Sequence, residues 1–93
     1  MDMKIYQGLT VAYTIKNNKI YKGNSTFGSA VYTIKENKIY SGGSTFGSPV
    51  FTINGNYVCE GGSRFGTVAY TVKGNRIYSG KGTLSSPIYK IKL

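Results

Sequence analysis

The 93-residue sequence has no histidine and no tryptophan, a single cysteine, Cys59, and only three carboxylates, Asp2, Glu36 and Glu60. Without histidine, and with carboxylates so sparse, the usual parts for general acid–base catalysis, a metal site or a nucleophilic triad are missing. The chain therefore reads as a non-enzyme that needs no cofactor. One cysteine cannot close an internal disulfide. No apolar stretch of signal-peptide or membrane-spanning length follows Met1 to Lys4, so the sequence points to a reducing cytoplasm and to no membrane partner.

Positive charge, by contrast, is abundant. Twelve Lys and Arg face three Asp and Glu, a formal net charge of +9. An excess of this size repels itself and is relieved by an acidic partner, which brings nucleic acid, anionic lipid and acidic substrates into view. The length fits one domain over residues 1–93. A chain this small buries only roughly 60 to 65% of the surface its unfolded form exposes, which favours a binding surface over an enclosed reaction chamber.

The chain repeats with a period of 19. Tyr13-Thr14-Ile15-Lys16 recurs as Tyr32-Thr33-Ile34-Lys35, Phe51-Thr52-Ile53-Asn54, Tyr70-Thr71-Val72-Lys73 and Tyr89-Lys90-Ile91-Lys92. A second run, Lys19-Ile20-Tyr21-Lys22-Gly23, recurs as Lys38 to Gly42, Tyr57 to Gly61 and Arg76 to Gly80, with a leading copy at Lys4 to Gly8. The units are a half-repeat at 3–8, repeats at 11–29, 30–48, 49–67 and 68–86, and a half-repeat at 87–93.

Each run is short, rich in Tyr, Thr, Ile and Val, and alternates in polarity, which is a strand signal. Asn17-Asn18, Glu36-Asn37, Gly55-Asn56 and Gly74-Asn75 between the runs suit two-residue hairpin turns, Glu36 being the poorest fit. Gly- and Ser-rich connectors join the hairpins, and Phe27, Phe46, Phe65 and Leu84 recur within them as expected plugs over the ends of the core. The fold class is all-β: an antiparallel meander of about ten short strands. Lys4 to Gln7 is a second-half strand and Pro87 to Lys92 a first-half strand, so the two can pair and close the sheet, removing its edges. An open stack of hairpins is the alternative.

Two-residue turns put Ile15 opposite Ile20, Ile34 opposite Ile39, Ile53 opposite Val58 and Val72 opposite Ile77. Alternation adds Tyr13, Tyr32, Phe51, Tyr70 and Tyr89 to that face, which is the expected core. The other face is expected to be wet, basic and aromatic, with Thr14, Thr33 and Thr71 among its residues and Lys4, Tyr6, Lys90 and Lys92 from the terminal strands. On it lie the candidate ligand-binding residues: Lys16, Lys19 and Tyr21; Lys35, Lys38 and Tyr40; Lys73, Arg76 and Tyr78. Lys16 opposite Lys19, Lys35 opposite Lys38 and Lys73 opposite Arg76 are like-charge pairs that disfavour folding by up to about 1 kcal/mol each. An anion-binding stripe with Tyr rings for stacking gives them a reason. Protection of hairpin tips against unwanted pairing gives another. The third repeat departs from the pattern, with Asn54, Tyr57 and Cys59 in these places; Cys59 reads as a small apolar substitute.

The unit Tyr-Thr-Ile-x-x-Asn-x-Ile-Tyr-x-Gly, as in Tyr32 to Gly42 followed by Ser44 to Pro49, resembles tandem repeats of small bacterial and phage-borne proteins. The resemblance spans nearly the whole chain. It implies a β-repeat fold and a bacterial or viral origin and supplies no activity or site. The repeat is also loosely similar to the hairpin repeats of choline- and glucan-binding modules, which use the Trp that is absent here.

The residues favour a non-enzymatic binder of a polyanion, foremost a single-stranded nucleic acid, through Lys and Arg on phosphates and Tyr21, Tyr40 and Tyr78 under bases. A stoichiometric binder of a small phosphorylated ligand or of a host protein is a second reading. A carbohydrate-binding or structural module, including a homo-oligomer formed through the Tyr-rich face, is a third.

Overall fold

The computed structural model describes residues 2–93. Ten strands run in chain order: β1 (Met3–Gln7), β2 (Thr10–Lys16), β3 (Lys19–Lys22), β4 (Tyr32–Lys35), β5 (Lys38–Ser41), β6 (Phe51–Asn54), β7 (Tyr57–Glu60), β8 (Val68–Lys73), β9 (Arg76–Ser79) and β10 (Tyr89–Lys92). Each pairs with its chain neighbours in antiparallel register, and β1 pairs β10, so the sheet closes into a barrel. The closing seam matches Lys4 with Lys92, Ile5 with Ile91 and Tyr6 with Lys90. The two half-repeats thus form a fifth hairpin, and the open stack does not occur. Among the described residues there is no helix, and so none long and apolar enough to cross a membrane.

The turns follow from their residues. Asn17 and Asn18 both hold positive φ, 53° and 64°, whereas Glu36, Gly55 and Gly74 carry positive φ at the first turn position alone, 57°, 60° and 62°. Both patterns twist in the sense that strands require. Each repeat hairpin therefore reaches the expected register, including Lys16↔Lys19, Lys35↔Lys38 and Lys73↔Arg76.

Closure rests on a constant offset. Ile15 pairs Ile20, and Ile20 pairs Tyr32, two residues short of Ile34 on β4. The next hairpin repeats the step through Ile34↔Ile39 and Ile39↔Phe51. Such a regular stagger is the shear that lets tilted strands meet end to end in a barrel.

The Ile and aromatic face points inward. Tyr32 and Phe51 lie on strands separated by a whole strand, a spacing of about 10 Å on a flat sheet, yet their ring centroids are 6.3 Å apart. Tyr13 and Tyr89, and Phe51 and Tyr70, converge to 6.2 Å in the same way. Convergence of this kind happens only on the concave side. These residues are half-buried, because ten strands enclose more space than the eight whose side chains just fill a barrel.

The most deeply buried side chains belong to the outward face, which corrects the expectation that this face is wet. Thr14, Thr33, Thr52 and Thr71 are buried, with Cys59 and Tyr78. Each Thr hydroxyl donates to a glycine carbonyl nine residues on, Gly23, Gly42, Gly61 and Gly80, at 2.7 to 2.8 Å. The connectors begin at these glycines and cover the outer wall. Lys19 and Lys38 reach the carbonyls of Gly43 and Gly62 in the connector of the following hairpin. Neighbouring connectors also meet, since a Cβ on Gly62 would lie 3.2 Å from Pro49 Cγ.

The molecule is consequently a disc of 35 × 33 × 16 Å. Its thickness is that of the short strands, and its breadth exceeds the roughly 17 Å Cα diameter of a ten-strand barrel. The connectors form a belt around the wall.

The expected plugs are not plugs. Phe27, Phe46, Phe65 and Leu84 are 94, 91, 85 and 102% exposed. The connector turns its small residues in, Thr26, Thr45 and Thr83 being half-buried and Ala30 buried, and projects the large one out. Serine-capped turns hold the geometry, with the Phe27 and Phe65 amides donating to Ser25 Oγ and Ser63 Oγ at 3.1 Å. These turns direct the phenyls away from the barrel and into solvent.

Candidate anion-binding wall

The outward face is built of five rows, each crossing four strands at one register level. The rows read Lys16–Lys19–Thr33–Tyr40, Lys35–Lys38–Thr52–Cys59, Asn54–Tyr57–Thr71–Tyr78, Lys73–Arg76–Lys90–Tyr6 and Lys92–Lys4–Thr14–Tyr21. Alternation along a strand forces this arrangement once the inward face is apolar. Nine of the twelve cations, Lys4, Lys16, Lys19, Lys35, Lys38, Lys73, Arg76, Lys90 and Lys92, thus lie on one continuous outer wall.

The positions within a row differ in freedom. First-position Lys16, Lys35, Lys73 and Lys92 are exposed. Second-position lysines are half-buried and tethered: Lys4 donates to Thr14 Oγ1 at 3.1 Å, Lys19 to the Gly43 carbonyl at 2.8 Å, and Lys38 to the Gly62 carbonyl. Their charges are held in place and partly satisfied, whereas the first-position ammonium groups are available to an anion.

The tyrosines fare less well as stacking platforms. Tyr78 is 9% exposed, closed over by the belt, and offers no ring face to a ligand. Tyr21 and Tyr40 are half-buried. The exposed rings are those of Phe27, Phe46 and Phe65, with the Arg64 guanidinium 5.3 Å from the Phe65 centroid. A phenylalanine at the same point of three connectors, with Leu84 in the fourth, is the sequence signal for these exposed side chains.

The third unit is distinct. Cys59 takes the Tyr place and is 1% exposed, with its thiol 3.6 Å from the Arg64 carbonyl. The smaller side chain lets this connector close tighter. The Glu60 amide bonds the Thr67 carbonyl, and β8 begins early, at Val68, with a register shift between Val58 and Cys59.

Two open grooves lie between hairpin tips. One, about 460 Å³, is lined by Asn54, Tyr57, Thr71, Lys73 and Lys81 among others, with the Lys81 ammonium 5.9 Å from the Tyr57 ring. The other, about 510 Å³, is lined by the 73–76 turn and by Lys90, Ile91 and Lys92, four of its seven residues being cations. Among the described residues no group of His, Cys, Asp and Glu could hold a metal ion.

No curated protein and no solved structure matches the chain significantly. A family model described as 6-fold beta flower protein matches residues 4–92, from β1 through β10. The sixfold count of that description contrasts with the five hairpins that close this barrel. Because the match takes in nearly every residue of all ten strands, the chain belongs to the 6-fold beta flower protein family.

Proposed function

We propose that this protein is a non-enzymatic polyanion-binding module whose outer wall takes a single-stranded nucleic acid around the rim of the disc. The observation that carries this reading is the position of nine cations on one closed wall, with like charges paired across strands in four of its five rows. A fold does not retain repeated unfavourable pairs for stability, and a phosphate backbone relieves them all. Phe27, Phe46 and Phe65 supply exposed ring faces on the same perimeter, so stacking falls to them rather than to Tyr78. Backbone contact with sequence-tolerant stacking needs no base-edge code.

The test is a fluorescence-polarisation titration of a labelled single-stranded oligonucleotide at 50 and 200 mM salt. Affinity falls about 100-fold between the two if a handful of phosphates is neutralised. The triple change Lys16/Lys35/Lys73→Glu abolishes binding. Phe27/Phe46/Phe65→Ala weakens it at both salt concentrations and leaves the salt slope unchanged, because stacking releases no counterions. Absence of binding at 50 mM salt overturns the proposal.

A further inference from the structure

The five rows of the wall are equivalent by repeat but not by residue. In four of them the third position is Thr, and it is buried under the connector whose glycine carbonyl it bonds. In the fourth row that position is Lys90, which is exposed. The substitution has a neighbourly consequence. Lys4 and Lys38 lean on the Thr hydroxyls of their rows, whereas Arg76 has a cation, Lys90, directly opposite it, with Lys73 on its other side. Three cations therefore stand side by side on β8, β9 and β10.

Arg76 and Lys90 have no side-chain hydrogen-bond partner among the described residues, and both are exposed with Lys73 and Lys92. They edge the groove of about 510 Å³, to which no acidic residue contributes. The matching groove one unit earlier carries Asn54, Tyr57 and Thr71 where this one carries Lys73, Arg76 and Lys90. Next along the row comes Tyr6, whose ring lies 5.2 Å from the Lys92 ammonium.

We propose that the groove between the 73–76 turn and β10 is a discrete site for a phosphomonoester dianion, bound by Lys73, Arg76 and Lys90 with Lys92 at its edge. The inference rests on the polyanion reading and narrows it to one point on the ring. A phosphodiester carries one negative charge and is met adequately by the paired lysines of the other rows. A terminal phosphate carries nearly two, and three cations, one of them a guanidinium fork able to make two parallel hydrogen bonds, match it better. The groove is open to solvent, so a free nucleotide can reach these cations as well as a strand end can. The dianion comes either from the end of a nucleic acid strand or from a free nucleotide.

Two measurements separate the sources. The first compares oligonucleotides of one sequence with a 5′-phosphate or a 5′-hydroxyl. The phosphorylated form binds about tenfold more tightly, the equivalent of one added charge-assisted contact. Lys90→Thr, which installs the residue of the other four rows, brings that ratio close to one. Lys16→Ala weakens both oligonucleotides alike and preserves the ratio. The second measurement follows backbone amide shifts during titration with a nucleoside monophosphate. Shifts confined to residues 73–76 and 90–92 that vanish in Lys90→Thr sustain the site with a free nucleotide as its ligand, even if neither oligonucleotide binds and the wall reading fails. Equal binding of the two oligonucleotides together with no shift from the monophosphate overturns the site, while salt-dependent oligonucleotide binding leaves the wall reading standing.

Discussion

The Lys38 ammonium donates to the Gly62 carbonyl at 2.5 Å and stands 3.5 Å from Thr52 Oγ1, so a side chain of the second hairpin fastens the connector that follows the third. Lys19 fastens the Gly43 carbonyl one unit earlier at 2.8 Å. These lysines belong to the belt as much as to the anion wall. The like-charge neighbours Lys35 and Lys16 are exposed and hold nothing.

This division predicts different outcomes within one charge pair. Lys38→Ala lowers unfolding free energy by about 1 kcal/mol, the net worth of a tethering hydrogen bond. Lys35→Ala stays within about 0.5 kcal/mol of the parent and is stabilising if relief of the Lys35–Lys38 repulsion dominates. Urea denaturation of both variants checks the difference; equal losses would remove the structural role assigned to Lys38.

Glu36 takes φ 57° at the first position of its turn, where the third and fourth hairpins have Gly55 and Gly74 at 60° and 62°. A side chain there costs about 1 kcal/mol through the contact of Cβ with the carbonyl that follows it. Glu36→Gly therefore raises stability by roughly 0.5 to 1 kcal/mol and leaves the Lys35↔Lys38 register intact. Thermal unfolding measures it, and a lower midpoint would show that the unfolded-state entropy of the new glycine outweighs the strain.

Much of this architecture is legible in the sequence, and the reasons are specific. Two-residue turns fix register, so Ile15↔Ile20 and its three counterparts follow from spacing alone. Complementary half-repeats at residues 3–8 and 87–93 point to barrel closure but leave an open stack of hairpins as the alternative, and the β1–β10 pairing decides between them. Burial is a different matter. Alternation separates two faces but does not say how much of each is covered, and the connectors decide that. Thr14 reads as solvated by its hydroxyl, yet the connector glycine supplies the acceptor that lets it be fully buried. Phe27 reads as buried by its ring, yet the turn at Ser25 directs it outward. On the wall, the cation rows are readable from spacing. Their inequality is not, because the place of Lys90 beside Arg76 depends on closure.

The Thr–Gly bond repeated four times makes a further test of this burial. Thr71→Val keeps the shape and removes the donor to the Gly80 carbonyl, leaving an acceptor under the belt without its partner. The loss is about 1 to 2 kcal/mol, against less than 1 kcal/mol for Thr71→Ser, which keeps the hydroxyl and loses one methyl. Hydrogen exchange of the Gly80 amide, bonded to the Ala69 carbonyl, accelerates in the Val variant if the connector loosens locally. Unchanged exchange and stability would mean that the hydroxyl does not hold the connector to the wall.

Cys59 occupies the place of Tyr21, Tyr40 and Tyr78, and a consensus argument would restore Tyr there. The structure argues the opposite. At 1% exposure with the Arg64 carbonyl 3.6 Å from its sulfur, the site has no room for a phenol ring. Cys59→Tyr forces the 61–67 connector outward, breaks the Glu60–Thr67 backbone bond and costs about 1 to 3 kcal/mol by overpacking. Cys59→Ala costs less, because the small cavity it leaves is bordered by a connector able to settle inward. The stability order parent, Ala, Tyr, measured by chemical denaturation, checks the packing. A Tyr variant as stable as the parent would show that the tight third connector is a property of its own residues and not of the space that Cys59 provides.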